Sequence, residues 1–134
     1  MATHEDGAVV GGVRFTMQTE GLAICTAAAA IYFRAGYSWQ EVVVLFLVPD
    51  LSMLGYLAGP RLGALAYNAG HSYVGPALLA AAGLGLNTAL ALPVALIWVA
   101  HIGFDRMLGY GLKYGDSFGH THLGRVGRTA PAPA

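Results

Sequence analysis

Four long apolar runs, separated by short polar breaks, leave this chain few ways to fold. They extend over about Gln18 to Arg34, Trp39 to Ala58, Arg61 to Leu86 and Ala89 to Leu112. Each is close to the ~20 residues a helix needs to cross ~30 Å of hydrocarbon. Only 10% of the 134 residues are charged, whereas a soluble domain uses about 25%. So few charges cannot coat a water-facing surface. The expectation is an all-α, integral membrane four-helix bundle.

The breaks fit that reading. Gly36-Tyr37-Ser38 makes the first turn, with Ser38 as helix N-cap. Pro49-Asp50 interrupts the second run, and Gly59-Pro60 ends it. Gly75-Pro76 is the weak point of the long third run, which predicts a kink there. Asn87-Thr88 turns the chain once more, and Pro93 is tolerated in the first turn of the last helix. The predicted organisation is an N-terminal segment over 1–17, the bundle over 18–114 and a tail over 115–134, disordered at its Pro- and Ala-rich end. The first nineteen residues lack the basic and apolar regions of a cleaved signal peptide. Gly55, Gly59 and Gly63 recur at four-residue spacing and predict close helix packing.

Arg14, Arg61, Lys113, Arg125 and Arg128 gather at the N-terminus, the second loop and the C-terminus, while Arg34 alone marks the first loop. The positive-inside rule then places both termini in the cytoplasm. Seven basic and seven acidic residues balance, so no basic field points to nucleic acid. The expected partners are the lipid bilayer and a second copy or a larger membrane complex. Cys25 is the only cysteine, which excludes an internal disulfide. No phosphate loop, nucleophile elbow, HExxH or CxxC is present.

Against this apolar background, His101 and Asp105 stand out. They lie four residues apart within Ile97 to Arg106, on one helix face. An ionisable group near the bilayer centre costs at least ~2.5 kcal/mol and marks a functional site by default. At 1.5 Å per residue, Asp50 falls about 17 Å from the outer face, His71 about 15 Å from the inner face and His101 about 18 Å from the outer face. Asp105 is one turn deeper, and Glu20 opens the first span in the same half. Four helices thus bring Glu20, Asp50, His71, His101 and Asp105 into one slab. Carboxylates and imidazoles suit Zn, Fe or Mn, and not Cu(I). In this reading Asp50, His71, His101 and Asp105 ligate a divalent metal, with Glu20 as catalytic base. Three protein ligands and an open water would make a hydrolase. Tyr67 or Asn68 would orient the His71 ring. Arg106 points about 100° from Asp105 and would meet another helix. Haem between His71 and His101 is a weaker fit, because each helix carries a single interior histidine. Two other readings stand beside the enzyme. The polar cluster is packing glue in a structural or accessory subunit, or it is a proton or cation relay in an oligomer. Asp116 and His120-x-His122 form a weak metal motif in the tail.

Four stretches carry a resemblance. They are Pro49-Asp50-Leu51-Ser52-Met53-Leu54-Gly55-Tyr56, the Tyr67-Asn68, His71, Tyr73 and Pro76 set, His101 through Tyr114, and Thr121-His122-Leu123-Gly124. In this order they resemble the small bacterial membrane proteins of the domain of unknown function family 4260. The resemblance covers about Glu20 to Gly124 and implies a four-span protein of the bacterial inner membrane, with no reaction attached. It also implies that His122 folds back toward the cytoplasmic mouth of the bundle. A looser similarity is to membrane-bound metal-dependent hydrolases, which Pro49-Asp50 and His71-Ser72 match. The second aspartate and the Asp-His-Arg pattern of that group are missing here.

Overall fold

Gly11 to Arg34 form the first helix, α1, in the computed structural model, which describes residues 7–126. The acidic start (Glu5, Asp6) and the Pro-Ala end of the tail lie outside the described residues. α1 begins seven residues before Gln18, and Thr16 and Thr19 donate back to the carbonyls of Gly12 and Phe15, both at 2.9 Å. Its buried face is Gly21, Ala28 and Tyr32, which packs along the last helix. Gly21 is needed there, since a Cβ at that position would run into Arg106 and the Gly103 carbonyl. Ser38 caps α2 (Trp39–Leu45) by accepting from the Gln40 N–H at 3.2 Å.

Pro49 and Asp50 do not merely interrupt this span. They open an eleven-residue 3₁₀ segment, Val48–Ala58. Such segments are uncommon beyond 3–4 residues. Three residues per turn divide it into three stripes. Val48, Leu51, Leu54 and Leu57 are exposed. Asp50, Met53 and Tyr56 form the second stripe, and Pro49, Ser52 and Gly55 the third. Gly59, at φ 113°, turns the chain into α3 (Pro60–His71). Gly55 and Gly63 then bring the 3₁₀ segment and α3 together, with no room for a Cβ at either. The three spaced glycines therefore close a hairpin within the chain.

The expected kink at Gly75-Pro76 falls earlier, at Ser72 and Tyr73, and divides the third run into α3 and α4 (Val74–Leu86). Pro76 lies in the first turn of α4, where its missing N–H leaves no bond unmade. Ser72 is extended and accepts from the Val74 N–H at 3.1 Å. Asn87, at φ 53°, ends α4, and α5 follows over Ala91–Leu108. The described residues thus hold five α-helices and a 3₁₀ segment, the second and third runs each being divided in two. Two stretches are long and apolar enough to cross a membrane: Trp39–Ala58, at 20 residues, and Ala91–Leu108, at 18.

After α5 the chain folds back on itself. Lys113 and Thr121 form an isolated bridge, and β1 (His120–Thr121) pairs antiparallel with β2 (Gly124–Arg125). The Val9 N–H donates to the His122 carbonyl at 2.8 Å, so the approach to α1 and the tail meet at one end of the molecule.

Candidate metal centre

Three elements converge on one point. The first turn of the 3₁₀ segment supplies Asp50, the last turn of α3 supplies His71, and α5 supplies His101 and Asp105. Their nearest donor atoms all lie within 4.8 Å of one another. His71 Nε2 is 3.2 Å from Asp50 Oδ1 and 3.3 Å from Asp105 Oδ2. His101 Nε2 is 3.3 Å from each of the same oxygens. The two Nε2 atoms face each other at 3.2 Å. A tetrahedral ion held at ~2.0–2.1 Å would space its donors roughly 3.3–3.4 Å apart. Five of the six edges are therefore those of a metal-sized tetrahedron.

The surroundings fix these groups. His71 is fully buried, and its Nδ1 lies 3.0 Å from the Tyr67 carbonyl. A carbonyl only accepts, so Nδ1 carries a proton, and in the neutral ring Nε2 presents a lone pair to the cluster. The Tyr67 ring stacks flat on the imidazole, with centroids 3.8 Å apart. The Ser52 hydroxyl, which donates to the Pro49 carbonyl at 2.6 Å, lies 3.4 Å from His71 Nδ1. The broken end of α3 leaves carbonyls without helical partners. α5 satisfies two of them: Trp98 Nε1 donates to the Gly70 carbonyl at 2.6 Å, and Arg106 to the His71 carbonyl at 2.9 Å. The helix that carries His101 and Asp105 thereby holds His71 in place. His101 sits edge-on to Phe46, at 5.1 Å between ring centres, and its buried Nδ1 has no hydrogen bond among the described residues.

The remaining sequence candidates separate. Glu20 is exposed on α1 and stands apart from the cluster. The face of α1 that meets α5 runs through Gly21, and Glu20 is turned about 100° from it. Asn68 does not reach the His71 ring. It clamps the backbone of Lys113 with two bonds of 2.7 and 2.8 Å. Arg106 ligates nothing and pairs with neither aspartate, but steadies the His71 and Tyr110 carbonyls. His122 folds back, yet stops at the Leu112 amide, whose N–H donates to its Nδ1 at 2.8 Å. Burial pushes the His122 imidazole below its ordinary range. His120 Nδ1 meets Asp116 Oδ2 at 2.7 Å and holds that carboxyl below the usual carboxylate range. The tail histidines therefore do not converge. The facing Nε2 atoms leave no gap for a porphyrin, which removes haem.

Lys113 was not singled out from the sequence as part of the site. Its ammonium lies 3.6 Å over the Phe118 ring and 4.6 Å over the Tyr67 ring, and donates to the Phe118 carbonyl at 2.8 Å. A cavity of about 300 Å³ is lined by Asp50, Asp105, Tyr67, Tyr110, Lys113 and Phe118, among others, but by neither histidine of the cluster. It therefore opens on the carboxylate edge of the tetrahedron. Asp50, with 32% of its side chain exposed against 13% for Asp105, is the more accessible of the two.

A helical protein built around a buried two-histidine, two-aspartate cluster is thus the class that fold and site define. The chain belongs to the family described as Domain of unknown function (DUF4260), whose model matches residues 14–126. No curated protein and no solved structure matches the chain.

Proposed function

We propose that this chain is a multi-span protein of the bacterial inner membrane that binds one divalent transition metal ion through Asp50, His71, His101 and Asp105. The observation that carries the metal is the crowding of acceptors. With His71 Nδ1 protonated toward Tyr67, the His71 Nε2 lone pair and two carboxylate oxygens meet a single further nitrogen, His101 Nε2. One proton on His101 cannot serve them all. Protonating both rings at Nε2 would make His71 a buried cation and set two N–H hydrogens head-on at 3.2 Å. A divalent ion satisfies all four donors at once. Nitrogen and carboxylate donors in a tetrahedron favour Zn, with Fe or Mn next.

Four protein donors alone would form a closed, structural site. The cavity on the Asp50–Asp105 edge supports a site that admits a further ligand, and hence hydrolysis. A bound ion would supply an activated water and polarise the bond to be split. The residues do the rest: Tyr67 and Arg106 hold His71, and the buried rings limit access by bulk water. Membrane residence is supported by the two apolar spans and by exposed large apolar residues such as Leu51, Leu54 and Leu57. The 3₁₀ form also lengthens its span. Eleven residues rise about 22 Å at 2.0 Å each, against about 16 Å in an α-helix. Contact between the N-terminal approach and the tail fits an even number of crossings, and the basic residues favour a cytoplasmic side for that end.

X-ray absorption at the metal edge of detergent-purified protein tests this reading. The expected spectrum shows two imidazoles and at least two oxygen ligands at ~2.0–2.2 Å. A spectrum without imidazole scattering would overturn it. Four ligands and no exchangeable fifth would turn the site into a metal cross-link of the 3₁₀ segment, α3 and α5.

A further inference from the structure

We infer that the cavity on the carboxylate edge is a substrate pocket for a phosphodiester, with Lys113 as the residue that recognises its negative charge. The inference rests on the metal reading above. Asp50, Asp105 and Lys113 line one cavity of about 300 Å³. Two carboxylates and one ammonium leave it one net negative charge. A divalent ion on the cluster, with neutral imidazoles, changes that to one net positive charge. An uncompensated charge beside buried rings is costly, and a monoanion relieves it.

The dimensions narrow the class further. The cluster carboxylates and the ammonium share one small space, so the charge recognised and the bond attacked belong to the same few atoms. A carboxylic ester or an amide has no charge at its reacting centre. A phosphodiester carries one negative charge on the phosphoryl group that water attacks. In the balanced step, the water oxygen forms a bond to phosphorus and the P–O bond to one alcohol breaks. The proton from water ends on the departing alcohol, leaving a phosphomonoester. Lys113 is placed for this recognition. Its backbone N–H and carbonyl are clamped by Asn68, and its ammonium is confined between the Tyr67 and Phe118 rings. One of its three N–H donors is used by the Phe118 carbonyl, which leaves two for an anion.

Two sources can present this group, a soluble diester or a phospholipid, and the test separates them. Metal-loaded protein in detergent is titrated with diethyl phosphate, with neutral triethyl phosphate as control, and with dioleoylphosphatidylglycerol in mixed micelles. Metal content is measured on each sample. The expected result is saturable binding of at least one anion, none of the neutral triester, and weakening of about tenfold or more in Lys113→Gln at full metal content. The ligand that binds more tightly identifies the source. Lys113→Arg keeps the cation and should retain binding, which separates lost recognition from lost folding. Full metal content with no binding of either anion, or with equal binding by Lys113→Gln, overturns the phosphodiester inference and leaves the metal centre standing. A protein that takes up no metal overturns the metal centre itself.

Discussion

Two histidine–aspartate assemblies in this chain share residue types and spacing, yet only one has the makings of a reactive site. His101 and Asp105 are four residues apart, and so are Asp116 and His120. The first pair lies on a long helix and meets Asp50 and His71 from two other elements, with both imidazoles buried. The second closes a loop of its own, at 2.7 Å, with Asp116 exposed to solvent. Its carboxylate and imidazole satisfy each other. In the buried cluster, neutral imidazoles leave acceptors outnumbering donors, an imbalance that a cation would relieve. The lesson is that an i, i+4 pair acquires chemistry from what other elements bring to it, and from burial that denies it water.

The sharpest way to break the comparison is to remove a buried ligand. His71→Ala should drop metal content from about one equivalent to below about one-tenth and destabilise the fold by about 2–3 kcal/mol, because two part-buried carboxylates lose their partner. Elemental analysis and thermal unfolding read both effects. Arg106→Gln spares every ligand but releases the His71 carbonyl from α5. Metal affinity measured by competition with a chelator should then weaken by about 10–100-fold. The tail responds to pH on its own terms. Burial lowers the His122 pKa, so its contribution is present above the ordinary histidine value of ~6.5 and is lost as pH falls through the lower folded value. Hydrogen exchange at the Leu112 amide, which donates to His122, should show protection falling in that direction only. The smallest effect belongs to the exposed Asp116 of the tail pair. Asp116→Asn should change stability by no more than about 0.5 kcal/mol and leave metal content unaltered.

The four cluster residues were legible in the sequence because depth along a helix is fixed by counting residues. Counting places Asp50, His71, His101 and Asp105 at similar expected depths, and the fold joins them. Depth says nothing about which way around the helix a side chain points. That is why Glu20 is found on the exposed face of α1: close packing of Gly21 on α5 decides the face. His122 folds back onto the Leu112 amide, which holds it short of the cluster. The 3₁₀ segment does carry a sequence signal, since Val48, Leu51, Leu54 and Leu57 recur at a strict spacing of three. The break in the third run was expected at the proline. It falls at Ser72 instead, because Trp98 and Arg106 satisfy the carbonyls that an earlier break exposes. No local pattern reports such a tertiary contact. Lys113 was passed over for a similar reason. It reads as a basic residue at a membrane edge, and only the fold of the tail brings Phe118 and Tyr67 around it.

The central claim is that two buried histidines and two part-buried aspartates hold one divalent ion. The most direct measurement is elemental analysis of protein purified gently in detergent, followed by titration with Zn, Fe and Mn salts. The account expects about one equivalent of a single transition metal per chain, or uptake to that level during titration. Less than about a tenth of an equivalent as purified, with none gained on titration, would contradict it.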